Sequence, residues 1–227
     1  MSKKIYLSPS CQINNIYATG NTNEQEQCNR IAEYAKTALL RCGFEVKKAP
    51  EGQPMAKNIS ESNSWNADLH IPIHTNAYNR KLTGGTLVMI YSNNDENKKA
   101  GMSILNAVAP ISPGNDYTLR TNPELAELNS TKAIAVYVEC EFHDSKEGSN
   151  WIINNVKPLG EAIAKGVCDY YGVTYKAKES EKLYRVQVGA FKDKQNAEKC
   201  LQKAKTAGFT DAFITEVNIW KVKTLKL

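Results

Sequence analysis

Three side chains in this 227-residue chain, Glu24, His74 and Glu139, have the chemistry of a hydrolytic site. Carboxylate and imidazole groups bind zinc, and a carboxylate beside a metal can carry a proton to and from a reacting water. Taken singly, each is ordinary. A histidine ending a strand is usually structural, and a glutamate in the first turn of a helix usually serves the helix dipole. Their shared placement is what singles them out. His74 ends the apolar segment Leu69–His74, Glu139 lies near the end of Ala133–Cys140, and Glu24 opens an amphipathic run. In open α/β sheets, ligands collect at the carboxyl ends of the strands.

The elements that must position them follow from the hydrophobic pattern. Lys4–Leu7 reads as a short buried strand followed by a polar loop. Cys28, Ile31, Ala35, Ala38, Leu39 and Cys42 recur at helical spacing, and Gly43 ends that run. Phe44–Val46 is a second strand, a polar helical stretch reaches Trp65, and Leu69–His74 is the third strand. Gly85–Tyr91 gives a fourth, and a helix covers Glu96–Val108. A long loop containing Pro110, Pro113, Gly114 and Pro123 precedes Ala133–Cys140, the most apolar strand and so a central one. Trp151–Tyr171 closes the domain as a helix, with Ile152, Leu159, Ile163, Ala164 and Val167 on its core face. Alternating strands and helices predict an α/β fold, a largely parallel sheet with helices on both faces.

Beyond residue 174 the composition changes. Residues 176–227 hold 12 Lys and Arg against 6 Asp and Glu, while residues 1–175 are nearly balanced, with 17 against 18. The expected division is a catalytic domain over 1–174, a linker over 175–181, and a small α+β (βαβ-like) domain over 182–227. In that small domain Leu183–Phe191 and Ala212–Val217 read as strands around a helix at Asn196–Ala207, and Trp220, Val222 and Leu225 suggest a further strand. The six cysteines form no CxxC pair and are expected to be reduced thiols. No apolar run is long enough for a membrane span, and the basic tail has few aromatics interleaved with its charges and no recognisable nucleic-acid motif. Neither membrane nor nucleic acid is therefore an expected partner.

Three segments carry a family resemblance. Asp68-Leu69-His70-Ile71-Pro72-Ile73-His74-Thr75-Asn76-Ala77 resembles the segment of zinc-dependent N-acetylmuramoyl-L-alanine amidases that supplies a zinc-binding histidine, matched by His74. Ala135–Phe142 is similar to the segment with their catalytic glutamate, matched by Glu139. Glu24, with a helix running out through Leu40–Val46, resembles a second ligand and its exit. The resemblance covers roughly residues 4–172 and implies zinc-assisted hydrolysis of peptidoglycan at the amide between N-acetylmuramic acid and L-alanine. Glu139 would be the general acid/base, and the arrangement is endolysin-like. A non-catalytic wall-binding protein, or a zinc peptidase or deacetylase on the same fold, is the alternative.

The sequence departs from the family where the first histidine ligand belongs. Ser8-Pro9-Ser10-Cys11 stands in place of Asp-Pro-Gly-His. His143, four residues past Glu139, is the expected third ligand. Cys11 can substitute because thiolate also binds zinc, and water or an altered site remains open. His70 lies roughly 13 Å along the strand from His74, too far to share its metal, and is read as a structural residue beneath the site. The tail segments Tyr184–Phe191, Asn196–Glu198 and Lys205–Phe209 resemble the sporulation-related (SPOR) wall-binding domain at about half its usual size. That size suggests pairing with a second copy as a homodimer. The N-terminus opens directly on a strand, so the expectation is synthesis in the cytoplasm without a signal peptide and action at the wall after release.

Overall fold

A computed structural model describes residues 2–78, 84–114, 117–178 and 186–216. The chain divides into two units, Met1–Lys178 and Glu179–Leu227.

The first unit is built on a six-stranded sheet. β1 (Lys4–Pro9), β2 (Glu45–Lys48), β3 (Leu69–Asn76), β4 (Leu87–Ile90), β5 (Thr118–Thr121) and β6 (Ile134–Phe142) lie in the order β2-β1-β3-β6-β4-β5. The first four strands of that order are mutually parallel. β4 runs antiparallel to β6 and carries β5 beside it in its own direction. The sheet is thus largely parallel, as the alternation of elements predicts.

Helices α1 (Glu24–Arg41), α3 (Asp95–Val108) and α5 (Lys146–Tyr171) cover one face. Their apolar positions join Ile5, Leu7, Ile71, Ile73, Val136 and Val138 in the main core. The five core residues read from α5, namely Ile152, Leu159, Ile163, Ala164 and Val167, are all buried there. The shorter α2 (Met55–Trp65) and α4 (Ala126–Asn129) complete the domain, and Leu128 of α4 packs with Ala135 and Tyr137 in a smaller cluster. Because side chains alternate along a strand, Tyr137 and Val138 face opposite layers.

Two glycines set how closely the helices pack. A Cβ on Gly160 of α5 would lie 2.6 Å from the Ile31 carbonyl oxygen and 2.7 Å from the Ala35 amide nitrogen of α1. On Gly166 it would lie 2.6 Å from Ile104 Cα of α3. These are backbone contacts that cannot swing aside. α5 also leaves helical geometry at Asn155, three residues before Pro158, which lacks an amide hydrogen to donate.

The proline-containing segment before β6 is more ordered than a loop, since β5 and α4 form within it. In the second unit, α6 (Lys194–Thr206) covers most of the expected helix, with Asp193 as its N-cap. The expected strands are not formed where the structure describes them: residues 186–191 and 212–216 are outside any strand. Val186, Val188, Phe191, Phe209 and Phe213 are exposed, and α6 buries no residue. A segment this short offers these strands no adjoining core to bury their apolar side chains. The strand expected around Trp220, Val222 and Leu225 lies outside the described residues. No helix among the described residues is long and apolar enough to cross a membrane.

Candidate active site

β1 lies between β2 and β3. The chain therefore leaves β1 toward one neighbour through α1 and reaches the other only after β2 and α2. Such a reversal of strand order opens a crevice at the carboxyl ends of the strands. The polar segment Ser8–Gln12 ends β1 there, and His74 stands near the end of β3 beside it.

Glu24 reaches this crevice because it opens α1. Asn23 caps the helix by accepting from the Glu26 amide, and Glu24 is 1% exposed. Its Oε1 lies 2.7 Å from His74 Nδ1, while Asn15 Nδ2 donates to its Oε2 at 2.6 Å. Burial works against ionisation of Glu24, but hydrogen bonds from His74, Asn15 and Ser10 outweigh it and hold the carboxyl below its ordinary range. The Gln12 side-chain Nε2 is 3.4 Å from the same His74 nitrogen.

Glu139 is the register partner of His74 on the adjoining parallel strand, which places the two side by side. Its Oε2 is buried and has no hydrogen-bond partner among the described residues. Burial raises its pKa to about 7, with the Glu24 charge adding to the rise and His74 opposing it. For His74, burial disfavours the charged ring, yet Glu127 and Glu24 raise its pKa to about 9. The ring stacks on Tyr137, with centroids 4.4 Å apart. A carboxylate with a near-neutral pKa next to an imidazole–carboxylate pair is an arrangement suited to proton transfer.

The structure does not bring His143 to this group. Its Nδ1 lies 3.0 Å from Thr75 Oγ1 and 3.1 Å from the Thr75 carbonyl oxygen, and its ring stacks on Tyr17 at 5.1 Å. Tyr17 belongs to the main core. A register shift supplies the physical reason. His74 pairs with Glu139 and Asn76 with Phe142, so β6 gains one residue against β3 just after Glu139. An extra residue inverts the alternation of faces for whatever follows. Cys11, in contrast, lines a cavity of about 280 Å³ together with Ser10, Gln12, His74, Glu127 and Tyr137. Among the described residues, no three His, Cys, Asp or Glu side chains converge as a metal-binding set.

Glu127 is the residue the sequence did not reveal. It is 3% exposed, its Oε1 accepts from the Ser8 hydroxyl and lies 3.2 Å from His70 Nε2, and its Oε2 is 3.8 Å from His74 Nε2. Burial opposes its ionisation, but the two histidines and Ser8 lower its pKa to about 2. His70 is buried and hydrogen-bonded beneath the site, stacked on Tyr6.

The fold has counterparts among solved structures. The catalytic domain of CwlV, an N-acetylmuramoyl-L-alanine amidase from Bacillus (Paenibacillus) polymyxa var. colistinus, superposes with a TM-score of 0.68 at 14% identity. The match covers 76% of this chain and 99% of that one. The CwlD amidase from Clostridioides difficile, solved in complex with the GerS lipoprotein, gives 0.66 at 16% identity over 75% of this chain and 99% of its own. At such identities the likeness is one of fold. An uncharacterized 38.4 kDa protein of Clostridium perfringens is 30% identical in a 164-residue alignment that covers 66% of this chain and 46% of that protein, so the match spans less than half of its relative. Residues 176–224 match the SPOR domain family. Residues 12–169, well over half the chain and including Glu24, His74 and Glu139, match the N-acetylmuramoyl-L-alanine amidase family, and the chain belongs to it.

Proposed function

We propose that the chain is a peptidoglycan hydrolase that cleaves the amide between N-acetylmuramic acid and L-alanine with a zinc ion, in the manner of an endolysin. The observation that carries this reading is the meeting of Glu24 Oε1 and His74 Nδ1 at 2.7 Å, next to a Glu139 oxygen that is buried without a partner among the described residues.

The residues present suit a divalent cation in two of three positions. Glu24 and His74 would hold it, and Cys11, which lines the cavity beside His74, is better placed for a third position than His143. A bound zinc ion would polarise the scissile carbonyl and acidify a water molecule. Glu139 takes the proton from the attacking water on its unpartnered Oε2 and delivers it to the departing alanine nitrogen. A pKa near 7 suits both halves of that transfer. The products are a lactyl-ended glycan and a stem peptide with a free L-alanine amine.

The C-terminal unit supplies wall affinity on this reading, supported by its match to the SPOR family and its excess of basic residues. Its exposed Val186, Val188, Phe191, Phe209 and Phe213 favour pairing with the same unit of a second chain. Zinc content of the purified protein tests the metal assignment. About one zinc per chain is expected, lost in Cys11→Ser and kept in His143→Ala. The opposite pattern would return the third position to His143.

A further inference from the structure

We propose that Glu127 is the positioning residue for His74, fixing the ring through the nitrogen that does not face Glu24; this rests on the metal-amidase reading above. A buried carboxylate is costly unless its oxygens are engaged, so Glu127 calls for a reason to be where it is.

Its surroundings divide its two oxygens between two tasks. Oε1 is anchored from below by the Ser8 hydroxyl and by His70 Nε2 at 3.2 Å. Ser8 is itself held, since Asn58 Nδ2 donates to its Oγ at 2.9 Å and Gln53 Nε2 donates to Asn58 Oδ1 at 2.9 Å. That chain of buried donors fixes the carboxylate and leaves Oε2 turned to His74 Nε2 at 3.8 Å, an ion-pair contact just beyond hydrogen-bond length. On the other edge of the ring, Nδ1 faces Glu24 at 2.7 Å, and Tyr137 stacks on the ring at 4.4 Å. Both edges and one face of His74 are therefore contacted.

An imidazole that binds a cation through one nitrogen must carry its hydrogen on the other. Nδ1 is the nitrogen beside the carboxylate ligand, so Nε2 must keep the hydrogen. An ionised carboxylate accepts and does not donate, so Glu127 favours that tautomer and no other. It also holds the ring plane in the crevice. Its place in the short α4 makes the segment before β6 part of the site.

The intact 227-residue chain with its three histidines suits a direct test. Zinc affinity is measured by competition with a chromophoric chelator, and the zinc-loaded protein is examined by long-range ¹H–¹⁵N spectra of the imidazoles. His74 is expected to show a protonated Nε2. Glu127→Ala should weaken zinc binding by roughly ten- to a hundredfold and move the His74 ring resonances. Glu127→Gln, which keeps the shape and an acceptor oxygen, guards against misfolding and should lose about tenfold. Unchanged affinity and unmoved His74 signals in both variants would overturn the positioning role while leaving the amidase reading intact, as would a His74 proton on Nδ1. A parent chain that binds no zinc would overturn both.

Discussion

His74 and Glu139 sit opposite one another on neighbouring parallel strands, the first paired through Nδ1 to Glu24 and the second with a buried oxygen that no described residue satisfies. An unsatisfied buried acceptor is unstable on its own account, and its natural complement is the hydrogen of an attacking water.

Replacing Glu139 with glutamine keeps the shape and removes the base. Turnover on peptidoglycan fragments should fall by roughly 10²–10⁴-fold, with bound zinc unchanged because Glu139 is not among the metal-holding residues. Turnover close to that of the parent would rule out Glu139 as the acid/base.

The same substitution has an effect on stability in the metal-free protein. Folded Glu139 keeps its proton up to about pH 7, whereas an unfolded glutamic acid gives it up near 4.5. Between those values the folded chain binds more protons, so stability falls as pH rises, and the penalty is complete above about pH 7. Glu139→Gln should therefore be more stable than the parent at pH 8 by on the order of 2–3 kcal/mol, with little difference at pH 4. His74, whose raised pKa confers stability that is lost as pH climbs through about 9, keeps its Glu127 and Glu24 partners in both proteins and loses only the smaller attraction of ionised Glu139 in the variant. Denaturant melts at the two pH values give the comparison.

The packing of α5 on α1 depends on the missing side chain at Gly160. Gly160→Ala places a methyl group against the Ile31 and Ala35 backbone. It should cost about 1–3 kcal/mol despite the better helix propensity of alanine, read as a lower Tm. A raised Tm would mean that the helices separate more freely than their contacts imply.

Much of this was legible in the sequence. The apolar spacing of Cys28, Ile31, Ala35, Ala38 and Leu39 makes α1 plain, all five residues are buried, and Glu24 at its start follows from the same pattern. β5 and α4 were not legible. Each spans four residues, too few for a period to show, and they lie within or just after the stretch from Pro110 to Pro123, which suggests a loop. Glu127 shared that obscurity, since its partners Ser8, His70 and His74 are brought to it only by the assembled sheet. His143 shows the converse. Its closeness to Glu139 along the chain points to the site, but the extra residue in β6 turns it to Thr75 and Tyr17.

Removing residues 179–227 separates wall affinity from chemistry. Hydrolysis of small soluble fragments should stay within about twofold, while retention on intact walls falls and any dimer fraction seen by light scattering disappears. For the untruncated chain, added salt should weaken retention, because exposed charges are screened. An untruncated 227-residue chain that stays monomeric at tens of micromolar would exclude the pairing of C-terminal units, and retention independent of those residues would place wall binding elsewhere.

The most direct test of the central claim is the identity of the bond cut. Purified peptidoglycan digested with the zinc-loaded protein, with and without a chelator, is analysed by mass spectrometry and by labelling of new end groups. New L-alanine amines and intact glycan strands should appear together and vanish when the metal is removed. New reducing sugar ends without free alanine amines would contradict the account.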